Sequence, residues 1–162
     1  MADELQSLRV FVYGTLQPDG HYWDAYCEGK VTAWTPAADL RPQLAWPARV
    51  RGMLYALDPG YPALVAGESW AHGCVLCLRD ADGLRGFDAL EDYDPFRSPA
   101  LNEYNRHAVT AFSSEGPTSY GLVWTYVMQP ETAQKLGGVR LPGGRWPVAN
   151  ESGGGLSMAH RD

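Results

Sequence analysis

Apolar and polar positions along this chain fall mostly into short β-like bursts, and one stretch repeats at helical spacing. Residues 9–13, Arg-Val-Phe-Val-Tyr, form a β-rich run closed by Gly14, which predicts an early, mostly buried strand. Residues 52–57, 75–78, 106–112 and 120–128 predict four more. A turn at Asp58-Pro59-Gly60 follows the first of these, and a polar Ser-Ser-Glu-Gly-Pro turn joins the last two. Leu84, Phe87 and Leu90 make the apolar stripe of a helix over residues 83–93, capped by Asp80 or Asp82 and stopped by Asp94-Pro95. A second, short helix is expected over residues 131–136. Between the first two strands, residues 18–50 read as irregular loops. Their prolines and the tryptophans at 23, 34 and 46 suit loops packed on a core. Seven of the 18 glycines fall in residues 137–162, and residues 148–162 are expected to be a mobile tail. No internal repeat is visible.

Composition narrows the class. The chain has 162 residues, one domain's length, with its core over about residues 9–147. Folding at this length buries roughly 68–70% of the unfolded surface. With 45% apolar residues the chain is globular rather than disordered. Thirteen Lys and Arg stand against 19 Asp and Glu, a net charge of −6. That balance argues against a nucleic-acid partner and against docking on anionic membrane. No apolar run approaches the ~20 residues of a membrane span, and the acidic start shows no secretory signal core. A cytoplasmic protein, a monomer or small homo-oligomer, is expected.

The three cysteines are too few for a disulfide framework. Cys74 and Cys77 form a C-x-x-C inside an expected strand, where positions three apart point to opposite faces. They read as two small core side chains, with redox or metal chemistry as the lesser alternative. Cys27 follows His21 by six residues, so a Cys–His nucleophile is conceivable beside a plain thiol. The four histidines form no metal-ligand spacing, and no metal or other cofactor is expected.

Glu91 is the leading candidate for chemistry. It lies four residues after Phe87 and seven after Leu84, on the helix face that points inward. A carboxylate there is costly unless paired or functional, and desolvation would tune it toward general acid/base work. The bland alternative is a helix-end carboxylate that turns to water or pairs with Arg106. Tyr13-Gly14-Thr15-Leu16 ends a strand at a glycine turn, where successive backbone N–H groups can bind a carboxylate or an oxyanion. Taken alone it reads first as a structural turn, and no Gly-Lys-Ser/Thr follows to make it a phosphate loop. Tyr104 and Arg106 begin an expected strand, where a hydroxyl and a guanidinium can face a cleft. Trp124 and Tyr126 share a strand face with Leu122 and Met128, as core packing would require.

In this order these pieces resemble the gamma-glutamylcyclotransferase-like family. Val10-Phe-Val-Tyr-Gly-Thr-Leu16 resembles its opening strand and Y-G-[ST]-L loop, and Val50-Arg-Gly-Met-Leu-Tyr55 its V-x-G-x-L-Y segment. Tyr61-Pro-Ala-Leu64 follows as in the family. Phe87-Asp-Ala-Leu-Glu-Asp-Tyr-Asp-Pro95 resembles the L-D-x-[LFY]-E-G-Y helix end, with Asp92 where Gly is common. Tyr104-Asn-Arg106, Val123-Trp-Thr-Tyr126 and Gly144-Arg-Trp146 complete the series, Arg145 replacing the usual Asp. The segment between Gln17 and Arg49 lacks the family's G-x-x-N.

The resemblance implies an α+β fold: a small barrel of mixed strands with a flanking helix. It implies a reaction in which the α-amine of a small γ-glutamyl substrate attacks its own γ-carbonyl, giving 5-oxoproline and a free amine. No protein nucleophile is then required, and ring closure costs little translational entropy. Glu91 would be the general base and acid. Gly14, Thr15 and Leu16 would offer N–H groups to an oxyanion or carboxylate, Tyr13 and Tyr104 would line the pocket and hydrogen-bond to the glutamyl moiety with Tyr126 as a further substrate-binding residue, and Arg106 would pair with a carboxylate. Two other readings stand beside this one. A non-catalytic module of the same fold would bind a γ-glutamyl-like metabolite or a protein partner. An amide hydrolase would use Cys27 or the Cys74/Cys77 pair. The leaving amine is not legible in the sequence.

Overall fold

A computed structural model describes residues 8–147. Its backbone is a closed barrel of five mixed strands. Strand β1 (Arg9–Val12) pairs antiparallel with β4 (Pro62–Leu78) and parallel with β6 (Ser119–Val127). β6 continues antiparallel to β5 (Asn105–Ser113), β5 meets β3 (Ala45–Ala56), and β3 returns to β4, closing the ring. Two short strands extend it: β2 (Val31–Thr32) on β4 and β7 (Val139–Arg140) on β3. The helices are α1 (Trp23–Tyr26), α2 (Ala81–Leu90) and α3 (Pro130–Lys135).

Strand alternation divides the core in two. Phe11, Tyr13, Val50, Leu54, Val75 and Val123 fill one cluster, drawn from all five barrel strands except β5, which adds Ala111. Val10, Val12, Leu76, Tyr126 and Met128 point the other way, into a second cluster covered by Phe87 of α2 and Ala133 of α3. Asp80 caps α2, its carboxylate accepting from the Gly83 N–H at 3.2 Å. Phe87 is wholly buried, and Leu84 and Leu90 pack against the same cluster, so the apolar stripe faces the barrel as expected. Cys74 joins the second cluster and Cys77 borders the first, on opposite faces of β4.

Besides the short α1, β2 and β7, which the sequence did not suggest, three longer elements differ from the sequence expectations. β3 begins at Ala45, inside the stretch expected to be irregular, because Ala48 and Val50 alternate inward between the polar or proline positions 47, 49 and 51. β4 begins at Pro62 rather than residue 75. Pro62 is tolerated as a first strand residue, and the glycines that look like breakers sit at irregular points of a long strand. Between the Arg51↔Trp70 and Met53↔Val65 pairs, one residue of β3 faces four of β4. Gly52 makes that bulge: its φ is +155°, and a Cβ there would lie 2.5 Å from Leu64 Cδ1. Finally, α2 ends at Leu90, before Asp94-Pro95, because Asp92 turns left-handed at φ +57°. The expected tail, residues 148–162, lies outside the described residues. Among those described, no helix is long and apolar enough to cross a membrane.

Candidate active site

The end of β1, the end of α2 and the lead-ins to β4 and β5 meet around one cavity. It is lined by Tyr13, Gly14, Thr15 and Leu16, by Tyr61 and Pro62, by Leu90 and Glu91, and by Tyr104 and Tyr126, with Phe11, Val12 and Tyr22 at its margins. The cavity is small, with a volume of about 30 Å³. Of the eight residues singled out from sequence, seven line this cavity. Arg106 does not. It lines a separate hollow of about 330 Å³ with Tyr93, Arg97, Asn105 and Met128.

The loop after β1 is folded by its own backbone. Gln17 N–H donates to Gly14 O at 3.0 Å, and Tyr22 N–H donates to Thr15 O at 2.8 Å. Gly14 lets Pro62 approach, since a Cβ at Gly14 would lie 2.6 Å from Pro62 Cγ. The N–H groups of Gly14, Thr15 and Leu16 donate no hydrogen bond among the described residues. Donors of this kind can hold negative charge where they face a cavity.

Glu91 is the residue just past the last turn of α2, half-buried. Its backbone is held at both ends: its N–H donates to Phe87 O at 2.9 Å and its carbonyl accepts from Tyr104 N–H at 3.3 Å. Next to that contact, Glu103 N–H donates to Asp92 O at 3.3 Å. These bonds lay the approach to β5 along the helix end, which is what brings Glu91 and Tyr104 to one cavity.

The tyrosines are committed differently from the sequence expectation. Tyr13 donates its hydroxyl to Tyr126 O at 2.7 Å and accepts from Leu64 N–H at 3.3 Å. Tyr104 donates to Pro62 O at 2.5 Å. Both protons are spent on backbone carbonyls, so these two rings build the wall and are not free donors to a ligand. Tyr126 donates to Asp88 Oδ1 at 2.6 Å. Burial and the adjacent Asp88, with Glu91 adding to them, push the Tyr126 phenol far up, so it stays a neutral donor.

Asp88 also receives Arg106, whose Nη1 lies 3.1 and 2.9 Å from its two oxygens. Both side chains are less than one-fifth exposed. The Arg106 guanidinium is flanked by the Trp124 and Tyr93 rings at 4.6 and 5.3 Å. Arg106 thus pairs with Asp88, one helical turn before Glu91, and not with Glu91. Burial raises the Asp88 pKa, outweighing the lowering by Tyr126 and Arg106. Sequence reasoning missed Asp88, and also Tyr61, whose hydroxyl donates to Glu103. Asp88 stood in the quoted helix-end motif, three residues before Glu91, and Tyr61 in the Tyr-Pro-Ala-Leu motif, each without a role.

Burial disfavours the thiolate form of all three cysteines. Burial pushes Cys27 up to about 12 despite Lys30, and pushes Cys74 up to about 12 with Cys27 adding to the effect. Cys77 is raised too, mainly by burial. An ordinary thiol near pKa 8.5 is roughly one-quarter thiolate at about pH 8. Iodoacetamide at that pH should therefore modify Cys27 and Cys74 about 1,000-fold more slowly than a free thiol, read by intact mass against time. Fast labelling of either would restore the thiol-hydrolase reading. Among the described residues no three His, Cys, Asp or Glu side chains are grouped to hold a metal ion.

Comparison with known proteins agrees with this fold. The family model described as gamma-glutamyl cyclotransferase, AIG2-like, matches residues 10–148. The chain is similar to an Arabidopsis thaliana protein solved in solution, at 25% identity and TM-score 0.54, covering 78% of this chain and 72% of that one. An uncharacterised Pyrococcus horikoshii protein shares the fold at 16% identity and TM-score 0.52, over 86% of this chain and 89% of that one. A Bacillus subtilis protein does so at 17% identity and TM-score 0.54, over 85% of this chain but 39% of its own length. No curated protein matches.

Proposed function

This chain belongs to the AIG2-like gamma-glutamyl cyclotransferase family, and from that premise we propose that it converts a small γ-glutamyl amide into 5-oxoproline and a free amine. The observation that carries the reading is the pairing of opposite chemistries in one cavity. Glu91 lines it together with the unspent N–H groups of Gly14, Thr15 and Leu16. A γ-glutamyl head group has the matching features: an α-nitrogen that must lose protons, and a γ-carbonyl oxygen that becomes negative during attack.

The substrate supplies its own nucleophile, so the protein's tasks are conformational and electrostatic. The cavity holds the glutamyl chain folded, with the α-nitrogen against the γ-carbon, which removes the entropic part of the barrel-bound reaction's barrier. Glu91 accepts a proton from the α-nitrogen and delivers one to the departing nitrogen as the C–N bond breaks. The N–H groups of residues 14–16 stabilise the tetrahedral oxyanion or anchor the α-carboxylate. Tyr126, a neutral donor fixed by Asp88 beside Glu91, keeps that wall of the cavity in place.

The test is 5-oxoproline release from a panel of γ-glutamyl amino acids, peptides and amines. Release from at least one member is the expected result, and the preferred member identifies the leaving amine. No release from any, with the panel still raising the melting temperature, would replace the enzyme with a binding module of the same fold.

A further inference from the structure

The proton count of the proposed reaction exceeds what Glu91 can hold. A γ-glutamyl substrate at neutral pH carries an α-ammonium with three N–H bonds, and the lactam nitrogen of 5-oxoproline carries one. Two protons therefore leave that nitrogen. The first must go before attack, because an ammonium has no lone pair. The second goes as the new C–N bond forms. A single carboxylate holds one proton at a time, and Glu91 still owes its proton to the departing nitrogen.

A second proton acceptor stands on the same wall. Tyr61 is 8% exposed and lines the cavity. Its hydroxyl donates to Oε2 of Glu103, and Glu103 is half-buried, set behind Tyr61 and outside the cavity lining. Its backbone is tied to the end of α2 by the Glu103 N–H bond to Asp92 O, one residue from the Tyr104 N–H bond to Glu91 O. The two glutamates thus approach the cavity from paired backbone segments, one directly and one through a phenol.

Resting on the function proposed above, we infer that Tyr61 and Glu103 form a proton relay that neutralises the substrate's α-ammonium. The Tyr61 oxygen accepts a proton from the α-nitrogen as its own proton passes to Glu103 Oε2. The nitrogen keeps the electron pair and becomes the nucleophile, and Glu103 returns the proton to solvent. Glu91 is then unprotonated when the second proton must leave. A phenol suits this position because it accepts and donates in one step, whereas a carboxylate lodged directly beside Glu91 would have its charge opposed by that neighbour. Tyr61 is a catalytic residue in this scheme, and Glu103 acts through it. The other titratable or charged groups around the pair are Glu91 and Asp92 at the helix end, Tyr13 and Tyr22 on the first loop, Tyr104 before β5, and Tyr126 on β6 with Asp88 and Arg106 behind it.

The relay makes a pH-selective prediction. As pH rises to the substrate amine's own pKa, which the neighbouring α-carboxylate lifts above the ~8 of a chain N-terminus, a growing share of the amine arrives neutral and the first transfer matters progressively less. In Tyr61→Phe, kcat/KM for 5-oxoproline release should fall about 100-fold at about pH 6.5 and lie within about threefold of wild type at about pH 9.5. Glu103→Gln keeps an acceptor for the Tyr61 hydroxyl but cannot take its proton, and should show the same pH-dependent deficit. A deficit of equal size at both pH values in either soluble variant would overturn the relay and leave Tyr61 as a packing residue. Wild-type protein inactive on every substrate would overturn the proposed function and the relay together, so the two failures are told apart by the wild-type arm.

Discussion

Glu91→Gln should lose 5-oxoproline release by at least about 1,000-fold while keeping a melting temperature within a few degrees of wild type. The substitution preserves size and the backbone bonds at that position, to Phe87 O and from Tyr104 N–H. It removes only the group that can take a proton and return it. General acid/base catalysis contributes typically 10²–10⁴-fold, and here both proton-transfer steps would be affected. The remaining rate would come from holding the substrate in its cyclising conformer and from the N–H groups of residues 14–16, which the variant retains. Turnover near normal, with the fold unchanged by circular dichroism, would remove Glu91 from the mechanism.

Asp88→Ala should lower stability by about 3 kcal/mol, roughly 10 °C in melting temperature for a domain of this length. The loss comes from what is left behind: a largely buried Arg106 with no carboxylate and a Tyr126 hydroxyl with no acceptor. Arg106 already carries a buried Nε without a hydrogen-bond partner, so it has no alternative to turn to. The ion pair itself is not a source of stability. Because the folded Asp88 pKa is raised, its contribution is fully present below the unfolded pKa near 3.8 and is lost as pH rises through the folded value. At neutral pH the charged aspartate is a net cost, offset by Tyr126 and Arg106 but not cancelled. Removing both charges together, as Asp88→Leu with Arg106→Met, should therefore recover the part of the lost stability that comes from the unpaired Arg106, while the Tyr126 hydroxyl still lacks its acceptor. A double variant as unstable as Asp88→Ala would mean that the loss lies in packing and in the Tyr126 hydroxyl rather than in the Arg106 charge. This pair locks α2 to β5 and β6 one turn before Glu91, and its value is in placing that helix end.

The sequence revealed the face of each residue more readily than its partners. The three-and-four spacing of Leu84, Phe87, Leu90 and Glu91 was enough to set the helix on the barrel and Glu91 toward the interior. The glycine after residues 9–13 was enough to end the first strand beside a loop with unspent donors. Hydrogen-bond partners were not available from spacing. Tyr13 and Tyr104 look like donors to a ligand in one dimension, yet their hydroxyl protons go to the carbonyls of Tyr126 and Pro62, residues 113 and 42 positions away. Arg106 could have met any acid, and which one depends on how far α2 runs. The helix stops at a left-handed Asp92, so Asp88 and not Glu91 falls within its reach. β4 was largely hidden because Pro62, Gly67 and Gly73 carry the signature of loops while tertiary pairing holds them extended.

The cavity takes its walls from residues near 14, 61, 91, 104 and 126, five stretches that the chain brings together only when the ring of strands is complete. No hairpin or half of the molecule contains both the acid and the donors. Contacts of such long sequence separation form late and slowly, after loop-closure entropy has been overcome. The site is thus a reporter of the last step of folding. In a refolding experiment, substrate turnover should return in one phase, with the slowest change in tryptophan fluorescence, while any secondary structure regained earlier remains inert. A mutation anywhere along the ring that lowers global stability acts on activity through the fraction of molecules whose ring is shut, even where it lies far from Glu91.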